Sequence, residues 1–357
     1  MSGLVPLRAD LELVGYHSPQ VAAPVRLNTN ESPYPPPETW RDDLVGEIER
    51  IAFNRYPDRE AGELRRAVAE SHGVRPEEVF CANGSNEVLQ CLLLAFGGPG
   101  RRALIFEPTY ALHSHIARLS GTEVVAGGRG PDFRVDPDQA ERLLADVNPE
   151  ITFLCSPNNP TGTAERPEVV ARVADAAAGL VVVDEAYGQF SRSSAMALRS
   201  PERAGLVVVR TFSKTWAMAA CRLGYLVADS AVVAGCEAAA LPYHLSSFSQ
   251  AAGVLALRYQ REMEARVAAV AEERGRLSAG LADLPVEWWP SDANFILFRP
   301  TAREATAVWQ GLLDAGVLVR DCSSWDGLGG CLRVTVGTPK ENDRFLKALG
   351  HCLGDAP

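Results

Sequence analysis

The amino-acid sequence predicts an α/β fold, with a large domain built on a mostly parallel, helix-covered sheet and a small α+β C-terminal domain. Short runs of Val, Ile and Leu alternate with helix-like segments over most of the chain. After residue 249 this alternation gives way to a long helical stretch and then to shorter strands. The 357 residues are also too many for one typical compact core, so two domains of unequal size are expected.

The predicted elements of the large domain begin after an extended arm. Residues 19–37 are rich in proline and asparagine, and each proline removes a backbone donor and fixes φ, so no helix is expected there. Strands are predicted at Ala103–Phe106, Thr122–Val125, Ile151–Leu154, Leu180–Val183, Leu206–Arg210 and Gly224–Ala228. Helices are predicted between them at Asn86–Phe96, Ala111–Leu119, Asp138–Leu144 and Pro167–Ala178. Strands that are apolar throughout are typical of a parallel sheet covered on both faces.

The C-terminal part of the chain follows a different pattern. Residues 249–281 are rich in Ala and Arg and are predicted to form one long connecting helix. Further strands are predicted at Ala293–Phe298, Val317–Arg320 and Cys331–Val336, and helices at Ala302–Ala315 and Glu341–Cys352. The expected domains are an N-terminal arm over 1–40, a large domain over 41–250, the connecting helix over 251–280 and a small domain over 281–357.

Composition excludes several classes of protein. The net charge of −10 does not suit a protein that coats nucleic acid or anionic lipid. No apolar run is long enough for a transmembrane helix, and Met1–Asp10 lacks the features of a signal peptide. The eight cysteines are scattered, without a CxxC pair or zinc-ligand spacing, so reduced thiols and no metal are expected. These observations predict a cytoplasmic protein that acts on small molecules.

Polar clusters follow three of the predicted strands. Ile151–Leu154 leads into Cys155-Ser-Pro-Asn-Asn-Pro-Thr-Gly162, Leu180–Val183 into Asp184-Glu-Ala-Tyr187, and Leu206–Arg210 into Thr211-Phe-Ser-Lys214, with Arg222 eight residues later. The carboxyl ends of parallel strands share one edge of a sheet, where α/β proteins bind their ligands. The side chains of these three clusters are therefore expected to converge.

These residue types together match the chemical needs of pyridoxal 5'-phosphate. Its aldehyde needs a lysine amine, its pyridine nitrogen needs a buried carboxylate, its phenolic oxygen needs donors, and its phosphate needs hydroxyls, an arginine and a helix N-terminus. Lys214 would supply the amine and Asp184 the carboxylate, and Asn159 and Tyr187 would donate to the phenolic oxygen. The phosphate would be held by Thr211, Ser213 and Arg222 and by a helix start at Gly84, Ser85 and Asn86, after Asn83. Tyr110 is a candidate to stack on the ring.

Each of these residues alone also suits an ordinary structural role. A lone Asp at a strand end is often a helix cap, and a lone Lys or Arg is usually a surface charge. Their occurrence together and in order favours the cofactor site. Lys214, Asp184 and Tyr187 are the predicted catalytic residues, with Lys214 as general base at the substrate α-carbon and Asp184 keeping the ring nitrogen protonated.

The motifs of the chain resemble those of the fold-type I, class I/II aminotransferases, over essentially its whole length. The matching strings are Ser156-Pro-Asn-Asn-Pro-Thr-Gly162, Val183-Asp-Glu-Ala-Tyr187, Ser213-Lys214 and Arg222-Leu-Gly-Tyr225. The resemblance implies the fold of pyridoxal-phosphate-dependent transferases and a homodimer whose active sites lie at the subunit interface.

More narrowly, the chain is similar to the histidinol-phosphate aminotransferase family. The strings that carry this similarity are Tyr16-His-Ser-Pro19, Leu27-Asn-Thr-Asn-Glu31, Asn54-Arg-Tyr-Pro57, Leu241-Pro-Tyr-His-Leu245, Val319-Arg-Asp321 and Gly330-Cys-Leu-Arg-Val-Thr-Val-Gly337. The resemblance implies that Tyr56 reaches the cofactor phosphate of the partner subunit. It further implies substrate contacts from Tyr16, Asn30, Arg320 and Arg333, and 2-oxoglutarate as the amino acceptor.

Other functions remain open on the same scaffold. An aromatic amino-acid aminotransferase would need only Arg333 and an apolar pocket, whereas Tyr16, Arg320 and Arg333 together favour a phosphorylated substrate. A phosphothreonine decarboxylase-like lyase and an enzyme of specialised metabolism are further alternatives. A pyridoxal-phosphate-dependent regulator would need a DNA-binding domain, for which this acidic chain has no spare residues.

Overall fold

The structure is a computed structural model that describes residue 5 and residues 21–354. The strands in this part of the chain are β1 (Val25–Leu27), β2 (Val79–Ala82), β3 (Arg102–Glu107), β4 (Glu123–Gly128), β5 (Ile151–Cys155), β6 (Leu180–Asp184), β7 (Leu206–Thr211), β8 (Gly224–Val227), β9 (Val286–Trp288), β10 (Phe295–Pro300), β11 (Val317–Asp321) and β12 (Leu332–Thr335). The helices are α1 (Glu38–Glu49), α2 (Gly62–His72), α3 (Gly84–Phe96), α4 (Leu112–Leu119), α5 (Pro137–Val147), α6 (Pro167–Ala176), α7 (Ser230–Ala239), α8 (Ser247–Leu257), α9 (Gln260–Ala282), α10 (Ala305–Asp314) and α11 (Pro339–Leu353).

The larger sheet has seven strands in the order β2-β8-β7-β6-β5-β3-β4. Its pairs are parallel except those of β8, which runs antiparallel to both β2 and β7. Side chains on opposite faces enter different cores: Val182 packs in one, and its neighbours Val181 and Val183 pack in the other. Because helices cover both faces, successive residues of a central strand are all buried, which explains the uninterrupted apolar runs in the sequence.

The smaller sheet has five strands in the order β1-β11-β12-β10-β9. β1 pairs in parallel with β11, through Val25 opposite Val317, and the remaining pairs are antiparallel. Its core contains Phe295, Phe298 and Phe345, which are fully buried. The arm predicted over residues 19–37 therefore contributes a strand to the C-terminal sheet as well as extended chain.

The stretch predicted as one helix over residues 249–281 is two helices, so that prediction is wrong in this respect. α8 packs against α1 and α2, whereas α9 contacts β9 and α11 beside the smaller sheet. The helical path stops at Arg258 and restarts after Tyr259, whose φ of −102° and ψ of 34° are not helical. The break lets each helix direct its apolar face to a different core, and neither Gly nor Pro marks it in the sequence.

All six strands predicted for the larger sheet are confirmed. Their ends agree with the prediction to within one residue, except that β4 ends at Gly128 and not at Val125. β1, β2 and β9 were not predicted. The two sheets meet where Asp292 N–H donates to Gly162 O at 2.7 Å. The domain boundaries themselves stay a prediction.

Among residues 21–354, no helix has the length and apolar character needed to cross a bilayer.

Candidate active site

A cavity of about 250 Å³ lies where the two sheets meet, at the carboxyl ends of β5, β6 and β7. The N-terminus of α3, the segment after β1 and the strand β12 close its other sides. Twelve of the predicted site residues line it: Asn30, Ser85, Asn86, Tyr110, Asn159, Asp184, Tyr187, Thr211, Ser213, Lys214, Arg222 and Arg333. The fold thus brings together residues that are as far apart in the sequence as Asn30 and Arg333.

Lys214 follows β7 and presents its amine to this cavity. The other two lysines of the chain, Lys340 and Lys347, are exposed on α11. Nζ of Lys214 donates to Thr29 O at 3.0 Å. Burial, and then the positive charges of Arg333 and Arg222, lower the pKa of the amine to about 8, whereas Glu31 opposes this shift. Near neutral pH the neutral, nucleophilic form of this amine is therefore far more abundant than in an ordinary lysine.

Asp184 ends β6, and its carboxylate is buried and bonded at both oxygens. Oδ1 accepts from Ala186 N–H at 3.0 Å, and Oδ2 lies 2.9 Å from Nε2 of His113. His113 is itself fully buried on α4 and stacks on Phe153, with ring centroids 4.8 Å apart. With the carboxylate ionised, Nε2 of His113 is the donor of this bond, and the imidazole holds Asp184 in one orientation.

An anion cradle forms at the N-terminus of α3. Ser85 and Asn86 open this helix, whose first N–H groups have no partner within the helix itself. Opposite them, Ser213 Oγ lies 3.4 Å from the Arg222 guanidinium and 3.0 Å from Thr211 Oγ1. Gly84 stands beside Arg222 in the left-handed region. Backbone amides, hydroxyls and a guanidinium therefore converge on one point of the cavity, as a phosphate requires.

Close approach of the backbone shapes the cradle. Gly84 has φ of +79°, and a Cβ there would lie 2.6 Å from Nη2 of Arg222. A Cβ on Gly224 would lie 2.3 Å from the backbone nitrogen of Ser85. Glycine at both positions lets the first turn of α3 pack directly on the chain around Arg222, which explains why the cradle includes Gly84 although it does not line the cavity.

The opposite wall of the cavity carries amides, a phenol and an arginine. Asn30 Nδ2 donates to the Tyr187 hydroxyl at 3.0 Å, and burial raises the pKa of Tyr187 above its usual range. Arg333 donates to Asn159 Oδ1 at 2.5 Å and to Asn28 O at 2.8 Å. Because Oδ1 of Asn159 is the acceptor of this bond, its Nδ2 is the end left to donate, as a phenolic oxygen would need.

Arg320 and Arg333 are directly opposed in the antiparallel pair of β11 and β12. Side chains at such partner positions project from the same face of a sheet, so the two guanidinium groups lie on one side. Both residues are buried, and Arg333 lines the cavity whereas Arg320 does not. Two buried like charges at partner positions favour an anionic ligand on this side of the sheet.

One other predicted residue, Tyr56, does not join the site within this chain. Tyr56 is 80% exposed and stacks on Tyr243, with centroids 4.6 Å apart. Tyr16 lies outside the described residues. Sequence reasoning, in turn, missed three residues at the site: Thr29, Glu31 and His113. His113 lies on the helix after Tyr110, and no spacing to Asp184 in the sequence could have indicated that pair.

The arrangement fits pyridoxal 5'-phosphate. A partly buried lysine with a lowered pKa, a buried carboxylate, neutral donors and the anion cradle surround one cavity. Lys214 would take the aldehyde, Asp184 the ring nitrogen, Asn159 and Tyr187 the phenolic oxygen, and the cradle the phosphate. Tyr110, whose hydroxyl donates to Asn86 Oδ1 at 3.2 Å, is placed on the cavity wall beside the cradle.

Comparison with known proteins agrees with this chemistry. The family model of aminotransferase class I and II matches residues 23–349. Histidinol-phosphate aminotransferases of Frankia casuarinae and Corynebacterium efficiens are 48% and 46% identical to the chain, each over 98% of it and over 90% and 95% of their own lengths. The crystal structure of histidinol-phosphate aminotransferase from Sinorhizobium meliloti in complex with pyridoxal-5'-phosphate superposes with a TM-score of 0.88, at 22% identity, over 99% of this chain and 98% of that one.

The chain belongs to the aminotransferase class I and II family. It has the fold of the type I pyridoxal-phosphate-dependent transferases, and it is a transaminase that uses this cofactor.

Proposed function

We propose that the enzyme transfers the amino group of L-histidinol phosphate to 2-oxoglutarate, giving imidazole acetol phosphate and L-glutamate in histidine biosynthesis. The observation that carries this proposal is the opposition of Arg320 and Arg333 on one face of the smaller sheet, beside the cavity. Two guanidinium groups suit a phosphate monoester, which accepts paired, charge-assisted hydrogen bonds. The relatives named histidinol-phosphate aminotransferase support the same substrate.

Both half-reactions can use one site because both substrates carry an anionic group beside the carbon that gives up or receives the amine. The phosphate of histidinol phosphate and a carboxylate of 2-oxoglutarate would each bind at the arginine face, the side of the smaller sheet that carries Arg320 and Arg333. Of the two arginines, Arg333 is the one that shares the cavity wall with Lys214. Its guanidinium is held by Asn159 and by the Asn28 carbonyl, so it does not need to reorganise when an anion arrives.

Lys214 is the proposed general base. Its lowered pKa makes the amine able to take a proton from the substrate α-carbon near neutral pH, and the same amine would return the proton to the former aldehyde carbon of the cofactor. When bound, pyridoxal phosphate supplies an electron-withdrawing ring that stabilises the negative charge left on the α-carbon. The Thr29 carbonyl, 3.0 Å from Nζ, orients the amine.

Asp184 and Tyr187 are proposed to set the charge of the site. The Asp184 carboxylate, held by His113 and Ala186 N–H, would keep a proton on the ring nitrogen opposite it. Tyr187 stays protonated because burial raises its pKa, so it is a hydrogen-bond donor throughout the working pH range. Asn30 donates to the Tyr187 oxygen and thereby turns the phenolic proton away from itself and towards the cavity.

We further propose a homodimer with shared active sites. Phe53, Tyr56 and Leu241 are each at least 77% exposed, and Tyr243 stacks on Tyr56 beside them. An exposed aromatic patch of this kind is typical of a protein interface. Tyr56 would then reach the cofactor phosphate of the partner subunit, and Tyr16 would lie near the substrate phosphate.

The proposed location is the cytoplasm, with small molecules and a second copy of the chain as partners and without nucleic acid or membrane. All eight cysteines, which lie in the described part of the chain, are free thiols there. Reduced cysteines are typical of cytosolic proteins. The net charge of −10 likewise gives no support to binding of nucleic acid or anionic lipid.

An aromatic amino-acid aminotransferase is the alternative that shares this cavity. A half-reaction distinguishes the two, because holoenzyme mixed with one amino donor loses the absorbance band of the lysine-bound cofactor. Rapid loss with L-histidinol phosphate and slow loss with L-phenylalanine is the expected result. The reverse preference would assign the enzyme to aromatic amino acids and leave Arg320 without its proposed role.

A further inference from the structure

The connection between β11 and β12 is unusually long for a hairpin. β11 ends at Asp321 and β12 begins at Leu332, so ten residues, 322–331, join two adjacent antiparallel strands. Hairpin connections usually contain about two to five residues, and longer ones often have a function. The strands on either side carry Arg320 and Arg333, so any side chain held by this connection lies close to the arginine face.

Successive turns make this connection a defined structure despite its glycines. Asp321 Oδ1 accepts from Ser323 N–H at 2.8 Å at the start of the connection. Trp325 N–H donates to Cys322 O at 3.0 Å, and Leu328 N–H donates to Trp325 O at 3.0 Å. Cys331 N–H then donates to Leu328 O at 2.9 Å. Trp325 is therefore bonded through both its backbone groups, and its side chain leaves the chain in a fixed direction.

Trp325 lies between an apolar cluster and Arg320. Its ring packs against buried side chains that include Phe133, Leu297 and Cys322. The Arg320 guanidinium carbon lies 5.7 Å from the centroid of the same indole. The same indole thus contacts both the cluster and the guanidinium, so the position of Trp325 limits the orientations open to Arg320.

The same connection also reaches the larger sheet. A Cβ on Gly327 would lie 3.8 Å from Cδ of Pro108, two residues before Tyr110 on the cavity wall. Phe133, a member of the cluster against which Trp325 packs, likewise comes from the chain of the larger sheet. The connection that carries Trp325 therefore lies close to chain segments of both sheets, Pro108 and Phe133 among them.

We propose that Trp325 is a positioning residue for specificity: its indole orients the Arg320 guanidinium towards the phosphate of the amino donor. This inference rests on the proposed function. A guanidinium binds a phosphate most strongly through two parallel N–H donors. Affinity therefore benefits when the plane of the guanidinium is fixed before the phosphate binds. The indole face supplies this restraint by attraction to the cation, and a phenyl ring in its place would retain much of it.

Three variants separate this role from a merely structural one. Trp325→Leu removes the aromatic face, and Trp325→Phe retains one. Trp289→Leu is the matched control: Trp289 packs on the same cluster, through Phe133, and its ring lies 5.2 Å from the guanidinium carbon of a different arginine, Arg299. A loss that stems from damage to the cluster would appear in both leucine variants.

Steady-state kinetics of the holoenzymes give the first readout. In Trp325→Leu the KM for L-histidinol phosphate should rise about tenfold, as expected for loss of a partly desolvated cation–π contact, while kcat changes by less than about twofold. Trp325→Phe should stay within about threefold of the wild type, and Trp289→Leu should leave the KM unchanged. An unaltered KM in Trp325→Leu, or an equal rise in Trp289→Leu, would overturn the proposal.

Inorganic phosphate gives a second readout that does not depend on the identity of the amine. In the holoenzyme the cofactor phosphate occupies the cradle, so added inorganic phosphate would bind at the arginine face. Its dissociation constant can be measured by calorimetry. It should weaken about tenfold in Trp325→Leu only. If wild-type holoenzyme does not transaminate histidinol phosphate, the proposed function fails, but a selective loss of phosphate binding would still support the role of Trp325. Equal phosphate affinity in wild type and Trp325→Leu would exclude it.

Discussion

Nε2 of His113 lies 2.9 Å from Oδ2 of Asp184, and both side chains are buried. The two residues come from α4 and β6, 71 positions apart in the chain. The pair links the carboxylate that would face the cofactor ring to the buried ring of Phe153, on which His113 stacks. The orientation of Asp184 is therefore determined by a residue that does not itself line the cavity.

Replacing His113 with leucine should weaken both the fold and the site. One oxygen of a buried carboxylate would lose its partner, which costs about 1–3 kcal/mol of the free energy of unfolding. We expect slower turnover and weaker retention of the cofactor, measured by dialysis and absorbance. His115→Leu, on the same helix but only partly buried, is the control and should change neither. Retained cofactor affinity in His113→Leu would contradict the role assigned to the pair.

Replacing Lys214 with alanine should abolish turnover and the absorbance band of the lysine-bound cofactor. Borohydride reduction of the wild-type holoenzyme should give one cofactor-labelled peptide, containing residue 214. The exposed Lys340 and Lys347 serve as internal controls, since nonspecific reaction with the cofactor aldehyde would label them as well. Label on either of them at a similar level, or full activity in the alanine variant, would refute the assignment.

The rate at which cofactor-free enzyme captures pyridoxal phosphate should depend on pH through Lys214. Only the neutral amine attacks an aldehyde, so the rate should rise about tenfold per pH unit below the pKa and level off above about 8. An ordinary lysine, with a pKa of 10.5, would still be gaining reactivity there. Stopped-flow absorbance measures the rate.

Two charge variants test the sign of this effect. Arg333 lowers the pKa of Lys214 and Glu31 raises it, so Arg333→Gln should move the plateau to higher pH and Glu31→Gln to lower pH. Opposite displacements are the decisive feature, because general damage to the site would move both in the same direction. Three coincident pH profiles would show that these charges do not act on the amine.

Replacing Gly84 with alanine should weaken cofactor binding at least about tenfold, because the new Cβ would displace the Arg222 guanidinium from the cradle. Gly100→Ala is a close control: φ is +81° there and +79° at Gly84, but no atom lies within 4 Å of a Cβ at Gly100. Both variants incur the strain of a left-handed alanine, about 1–2 kcal/mol, so both should lose stability. A similar loss of cofactor affinity in Gly100→Ala would attribute the effect to backbone strain.

Most of the fold was predictable because its central strands are buried on both faces. Six strands of the larger sheet were identified from apolar runs, and their order along the chain placed the polar clusters at one edge. β1 and β2 were missed because runs of three and four residues, Val25–Leu27 and Val79–Ala82, are too short to show a period. The antiparallel direction of β8 has no local signal, since its burial pattern equals that of a parallel strand.

The candidate site was predictable where chemistry requires a particular residue type next to a strand end. Lys214, Asp184 and Asn159 met this condition, and the fold places all three on one cavity. His113 did not, because its partner is reached only through tertiary packing. The relation of Arg320 to Arg333 depends on the register of β11 and β12, which the sequence does not encode locally.

The residues that would hold the cofactor stand at strand ends of the seven-stranded sheet, whereas Arg320 and Arg333 stand on a hairpin of the five-stranded sheet. After gene duplication, a copy of this enzyme can therefore diverge in its amino donor through substitutions in residues 317–332, around Arg320, without loss of its catalytic apparatus. The same separation makes this hairpin the place to begin when a transaminase on this scaffold is engineered for a new amine.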